Sequence, residues 1–164
     1  PGKKLLFMGQ DFGQLREWSE ERELDWYLLG EKNHEHLQAY VRDLLHMYTK
    51  YPALYGNDGG YEGFEWINAD DGDRSIYSFV RYSPTGTGNL LFVCNFTPVA
   101  RPDYRVGVPK RKQYRLILDS SSIKYGGETV ERQAAYRAVK KECDGRAFSI
   151  GYDLPAYGVA VFSF

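Results

Sequence analysis

Between Glu31 and Lys50 the apolar residues Leu37, Tyr40, Val41, Leu44, Leu45 and Tyr48 recur at three- and four-residue intervals, which gathers them on one stripe of a helix. Asn33 is placed to cap its start, and Pro52 ends the run. Ahead of the helix, the apolar run Leu5-Leu6-Phe7-Met8 leads into Gly9-Gln10-Asp11-Phe12-Gly13. That pattern predicts a buried strand ending in a glycine-framed turn that carries a carboxylate. Beyond Pro52 the period shortens. Phe64 to Ile67, Ile76 to Tyr82, Leu90 to Phe96, Tyr104 to Val108, Gln113 to Leu118, Ala147 to Leu154 and Tyr157 to Phe164 are apolar segments separated by turn signals, and each predicts a strand. The intervening clusters Asp70-Asp71-Gly72-Asp73, Pro84-Thr85-Gly86-Thr87-Gly88, Tyr125-Gly126-Gly127 and Asp144-Gly145 supply residues that tolerate positive φ or cap a turn. Phe148, Ile150, Tyr152 and Leu154 alternate with small or polar neighbours, giving that strand one wet face, whereas the mostly apolar run Leu90 to Phe96 predicts a central strand. Arg132 to Glu142 follows neither period and reads as irregular.

Strands at this density predict an antiparallel β-sandwich, so the expected fold is mainly β. The strand, long loop and helix that precede it are explained if residues 1–52 are the last βα unit of a TIM barrel and residues 53–164 form an all-β domain appended to it. No initiator methionine precedes Pro1, and the chain is expected to be a piece of a larger protein. A severed barrel strand exposes apolar surface and unpaired amides. Leu5–Met8 is therefore expected to fold back on the sandwich or to pair with a second copy of the chain.

With 43% apolar residues among 164, the chain can bury a real core. Lys plus Arg number 21 against 22 Asp plus Glu, a net charge of -1, which gives neither the basic field of a nucleic-acid binder nor a like-charge tail. A neutral or small partner is favoured. Cys94 lies inside an apolar run and far in sequence from Cys143, which predicts free thiols in a reducing, cytoplasmic compartment. No stretch is long and apolar enough to span a membrane. His34 and His36 are two apart and point to different faces, and His46 has no cluster around it, so no metal site is expected. Asp70 to Asp73 lacks the spacing of a calcium loop, and Gly86-Thr87-Gly88 lacks the lysine of a phosphate cradle. Asp11-Phe12-Gly13 spells a kinase triplet without its companion motifs. Asn95-Phe96-Thr97 matches a glycosylation acceptor in letters, at the end of a strand expected to be buried. No cofactor is expected.

Met8-Gly9-Gln10-Asp11-Phe12-Gly13-Gln14, Arg16-Glu17-Trp18 and Leu24-Asp25-Trp26 are followed by Gly63-Phe64-Glu65-Trp66-Ile67, Asn95-Phe96-Thr97-Pro98-Val99, Tyr104-Arg105-Val106-Gly107-Val108-Pro109 and Tyr125-Gly126-Gly127. In this order the motifs closely resemble the end of the barrel and the carboxy-terminal domain of 1,4-α-glucan branching enzymes. Asp11 departs from the glutamate more usual there, and residues 128–142 match poorly. The resemblance implies an enzyme that cuts an α-1,4-glucan, holds the segment as a covalent glycosyl-enzyme and passes it to a 6-hydroxyl of another chain. Such retaining chemistry uses two carboxyl groups about 5 Å apart. In the family these sit on earlier barrel strands, so the resemblance implies that the catalytic residues lie upstream and that this chain alone is inactive. Its implied partners are an α-glucan such as glycogen or a maltooligosaccharide, and the missing barrel.

Gln10 and Asp11, at the end of the expected barrel strand, are candidates to support a glucan-binding floor; for Asp11 the alternative is a turn residue capping amides. Aromatic faces stack on sugar rings, which makes Trp18 and Trp66, with Tyr51, Tyr55, Tyr61 and Tyr82, candidate glucan contacts; for each the alternative is core packing. Two functions compete: a domain that buttresses the catalytic barrel, and an autonomous carbohydrate-binding module. An immunoglobulin-like adhesion domain shares only the sandwich and leaves the amino-terminal motif unexplained.

Overall fold

A computed structural model describes residues 2–164. Helix α1 (Lys32–Lys50) precedes strands β1 (Phe64–Asp71), β2 (Ile76–Arg81), β3 (Leu90–Asn95), β4 (Arg101–Val108), β5 (Gln113–Asp119), β6 (Ala135–Arg137), β7 (Phe148–Leu154) and β8 (Val159–Ser163). They form two antiparallel sheets, one ordered β1-β2-β3-β8-β5-β6 and the other β4-β7. Each strand expected beyond Pro52 is present. β6 is the addition: three residues that pair Tyr136 with Tyr114 inside the stretch expected to be irregular, too few to display an alternation.

The two-residue period explains the packing. Ile76, Ser78 and Val80 point inward from β2, as do Leu91 and Val93 from β3 and Ala160 and Phe162 from β8. They meet Tyr104, Val106 and Val108 of β4 and Ile150, Tyr152 and Leu154 of β7. β3 is central, between β2 and β8, and every residue in it except Phe92 is buried. Both cysteines are free. Asn95 is 1% exposed, and its amide donates to the Val99 and Pro155 carbonyls at 2.9 and 2.8 Å, which removes it from any modifying enzyme.

The outer face of the large sheet carries a second core, where Tyr40, Leu44, Met47 and Tyr48 of α1 pack on Leu90, Leu118 and Val161. The helix differs from expectation in two ways. It begins at Lys32 with Glu31 as its cap residue, because the 3-10 turn Trp26–Gly30 delivers the chain so that the Glu31 carbonyl accepts from His34 and Glu35 at 3.0 Å; Asn33 sits within the first turn. Its apolar stripe is also wider than the sheet covers, leaving Leu37 38% and Leu45 48% exposed.

The strand expected at Leu5–Met8 is absent. A strand exists through ladder bonds to a neighbour, and this segment has no strand partner among the described residues. Among the described residues its one hydrogen-bonded tie toward the sandwich is through the preceding Lys4, which reaches the segment between α1 and β1. Lys4 Nζ donates to the Leu54 carbonyl at 2.8 Å and to Asp58 at 3.1 Å, yet Leu5, Leu6, Phe7 and Met8 stay exposed.

The Tyr125-Gly126-Gly127 turn ties α1 to the sandwich: Tyr125 Oη donates to Asp43 of the helix at 2.5 Å, and Lys124 pairs with the same carboxylate. A Cβ on Gly127 would collide with the Ser121 carbonyl oxygen. Gly127→Ala is expected to cost about 1–3 kcal/mol, seen as a lower urea midpoint with an unchanged slope.

Candidate functional site

The amino-terminal motif folds as a tight, internally bonded loop. Gly9 and Gly13 adopt φ of +80° and +71°, where a side chain would be strained, and the Gly9 carbonyl accepts from Phe12 and Gln14 at 3.3 and 3.0 Å. Gln10 turns its Oε1 back to accept from the Phe7 amide at 3.0 Å, and Asp11 sits half-buried in the middle of this turn. Phe12 is fully buried against Trp26 at 5.2 Å. Trp18 meets the edge of Phe7 at 5.4 Å and is 37% exposed. Behind them Asp25 is buried, pairs with Arg16 and donates its backbone amide to Gln14 Oε1 at 2.9 Å.

A second surface lies on the outer face of β1–β3. Trp66, Phe79 and Phe92 are direct cross-strand neighbours, so their rings line up across three strands. Phe79 stacks on Phe92 at 4.7 Å and on Phe64 at 5.3 Å, and Trp66 meets the edges of Phe64 and Phe79 at 5.0 and 5.7 Å. Trp66 is half exposed at the end of this ladder. Phe79 and Phe92 also line a groove of about 610 Å³ with Leu5, Leu6, Val41 and Leu45, where the ladder meets the amino-terminal segment and the uncovered side of α1. The tyrosines divide. Tyr61 is fully outward and Tyr55 exposed, whereas Tyr51 and Tyr82 are half-buried, and Tyr82 Oη donates to Glu65 at 2.5 Å. Gln10, Asp11 and Trp18 thus share one loop, and Trp66 belongs to the ladder.

The shifted carboxylates all move the same way. Arg16 holds Asp25 below its ordinary value, and Lys124 with Tyr125 does the same for Asp43. Burial pushes Asp58 and Glu65 upward, but Arg81 and Lys4 on the first, and Tyr82 and Arg146 on the second, outweigh it and hold both low. A glycosidic acid needs the opposite, a carboxyl that keeps its proton near neutrality. Burial raises the Cys94 thiol to about 11, so it is unreactive. Among the described residues no three His, Cys, Asp or Glu side chains gather as a metal cage, and no helix is long and apolar enough to cross a membrane.

Because these four groups are depressed on folding, their stabilisation is present above the ordinary values of 3.8 for Asp and 4.5 for Glu and is lost as pH falls through the lower folded values. The thermal midpoint, followed by circular dichroism, is expected to be flat near neutrality and to drop steeply below about pH 4.

Residues 66–164 match the family model described as the alpha amylase C-terminal all-beta domain. The chain belongs to that family. This alpha-amylase C-terminal domain and the segment before it are 54% identical over 163 residues to the 1,4-alpha-glucan branching enzyme GlgB of Butyrivibrio fibrisolvens, covering 99% of the chain and 26% of that relative. The branching enzymes of Aquifex aeolicus and Cereibacter sphaeroides are 44% and 46% identical over 159 and 155 residues, 97% and 94% of the chain and 25% and 21% of their own length. The chain therefore spans about a quarter of the relatives it matches. Sequence reasoning found Trp66 in this domain but missed Phe79 and Phe92 as its partners. The signal was present in the period-two pattern of β2 and β3, which puts both on the same face.

Proposed function

We propose that this chain is the carboxy-terminal part of a 1,4-α-glucan branching enzyme, in which it buttresses the catalytic barrel rather than performing chemistry. What carries the reading is similarity to branching enzymes along almost its whole length while covering only a quarter of theirs. The uncovered apolar side of α1 and the exposed Leu5–Met8 segment support it, since they form a continuous surface that a barrel would bury. In the isolated chain this surface would also let two copies associate, which sedimentation would register as a dimer. Two free thiols support a reducing cytoplasmic setting. The test is a chimera in which this chain replaces the corresponding segment of the Butyrivibrio fibrisolvens relative. Retained branching of amylose supports the reading, and a soluble, folded chimera without activity contradicts it.

The Trp66–Phe79–Phe92 ladder favours a second reading, in which the domain also holds glucan as a carbohydrate-binding module. Gel retardation in glycogen separates the two: a pure buttress runs unretarded. If the ladder binds, Trp66→Ala is expected to weaken retention roughly tenfold while leaving the fold intact, because Trp66 is half exposed.

A further inference from the structure

The whole-chain charge of -1 hides a local asymmetry. Lys110, Arg111 and Lys112 sit in the β4–β5 turn, Arg115 and Arg137 on β5 and β6, and Lys140 and Lys141 just beyond. All are exposed, and none makes an ion pair or a side-chain hydrogen bond among the described residues. Arginines elsewhere behave differently: Arg16, Arg74, Arg81 and Arg146 each hold a carboxylate. The unpaired cations stand on a fixed frame. Tyr114, fully buried, donates its hydroxyl to the Lys110 carbonyl at 2.9 Å and accepts from the Lys110 amide at 3.3 Å, while the Lys112 carbonyl accepts from the Ala138 amide at 3.0 Å. The ladder sets Gln113 opposite Arg137, and because Tyr114 and Tyr136 turn into the core, Gln113, Arg115 and Arg137 share the outer face. Where the turn meets the strands, Arg111, Lys112, Gln113, Arg137 and Ala138 line a cavity of about 330 Å³, with no carboxylate in its wall.

Like charges held around so small a volume repel one another, and a bound anion removes that cost. Edge protection does not explain the arrangement. β6 closes one edge of the large sheet, and charge on an edge strand discourages pairing with other chains, which accounts for Arg137. Arg111 and Lys112 come from a turn and still converge on the same cavity. Shape and charge then select the ligand. A guanidinium forks onto two oxygens of a phosphate or a carboxylate. A phosphate monoester carries about -1.5 to -2 charge at neutral pH and three acceptor oxygens, enough to engage several cations at once, where a lone carboxylate satisfies one. The volume, at the low end of the ~300–1,000 Å³ range of small-ligand sites, admits a small molecule rather than a polymer. The geometry points to this cavity as a binding site for a small phosphate-bearing anion, with Arg111 and Arg137 as forked donors, Lys112 as a third positive charge and Gln113 as a neutral donor. The site lies outside the aromatic ladder and the amino-terminal loop, and it does not depend on the proposed function.

The test titrates the whole chain with inorganic phosphate and, separately, with glycerol 3-phosphate, at about 0.15 M salt so that distant charges are screened. Calorimetry reads affinity and amide chemical shifts read location. Saturable shifts are expected at 110–115 and 135–139. Arg111→Gln and Arg137→Gln remove exposed like charges, so both variants keep or raise the thermal midpoint, and each is expected to weaken binding about tenfold. Lys141→Gln removes the same charge from a residue that does not line the cavity, and is expected to change affinity less than about twofold. The two probes separate the sources: tighter binding of glycerol 3-phosphate assigns an organic phosphate ester, tighter binding of inorganic phosphate assigns the free ion, and either supports the site. Equal weakening by Lys141→Gln and Arg137→Gln would mean diffuse attraction and overturns the site, as do shifts that never saturate. A poly-glutamate peptide that binds more tightly than both phosphates overturns the ligand class in favour of an acidic protein segment. None of these outcomes bears on the chimera, which alone decides the proposed function.

Discussion

Asp58→Ala is expected to destabilise the chain by roughly 3–5 kcal/mol, because it strands a buried cation. The Arg81 side chain is 5% exposed and that of Asp58 11%. Arg81 points from the outer face of β2 into the join between the sheet and the 52–63 segment, donating its Nε to the Gly63 carbonyl at 3.1 Å and pairing its terminal nitrogen with Asp58. The same carboxylate takes Lys4, so its loss also releases the amino-terminal segment. Urea unfolding measures the loss. The double variant Asp58→Ala with Arg81→Met is expected to recover much of it, since the unpaired charge is then gone. A double variant no better than the single would show that the contacts of the segment, not the stranded charge, set the cost.

Phe162→Ala should cost about 3–5 kcal/mol through the cavity it opens. Phe162 is fully buried on β8, the strand that joins β3 to β5, and its ring meets Tyr152 at 5.2 Å and Tyr136 at 5.5 Å, edge to face. The cavity would lie between the two sheets, where both β8 and β7 are anchored and neighbouring rings cannot collapse without leaving their packed geometry. Phe162→Leu keeps most of the volume and is expected to lose under half as much. Equal losses for the two substitutions would mean that ring geometry, rather than volume, dominates this corner.

The strands were legible because their turns are chemically marked. Asp71-Gly72, Thr85-Gly86 and Asp144-Gly145 each sit beside an alternating segment, and the structure places turns there. β6 was not legible, since three residues carry no period and its pairing to β5 is a tertiary event. Leu5–Met8 shows the limit most clearly. An apolar run records that a segment is meant to be covered but not by what, and without a neighbouring strand it forms no ladder. The stripe on α1 has the same origin: Tyr40, Leu44 and Tyr48 face the sheet, while Leu37 and Leu45 face outward, so one apolar stripe serves two surfaces. Among the candidate residues, Trp66 could be placed on a strand face from its alternation, and Gln10 and Asp11 on a turn from Gly9 and Gly13.

The central claim is that this chain supplies scaffold to a branching enzyme and no bond-breaking machinery of its own. The direct measurement is proton NMR of amylose incubated with the purified chain, counting new α-1,6 anomeric signals. The account predicts none from the chain alone and clear signals once it is joined to the upstream part of its relative. Accumulation of α-1,6 signals with the chain alone, free of contaminating host enzyme, would contradict it.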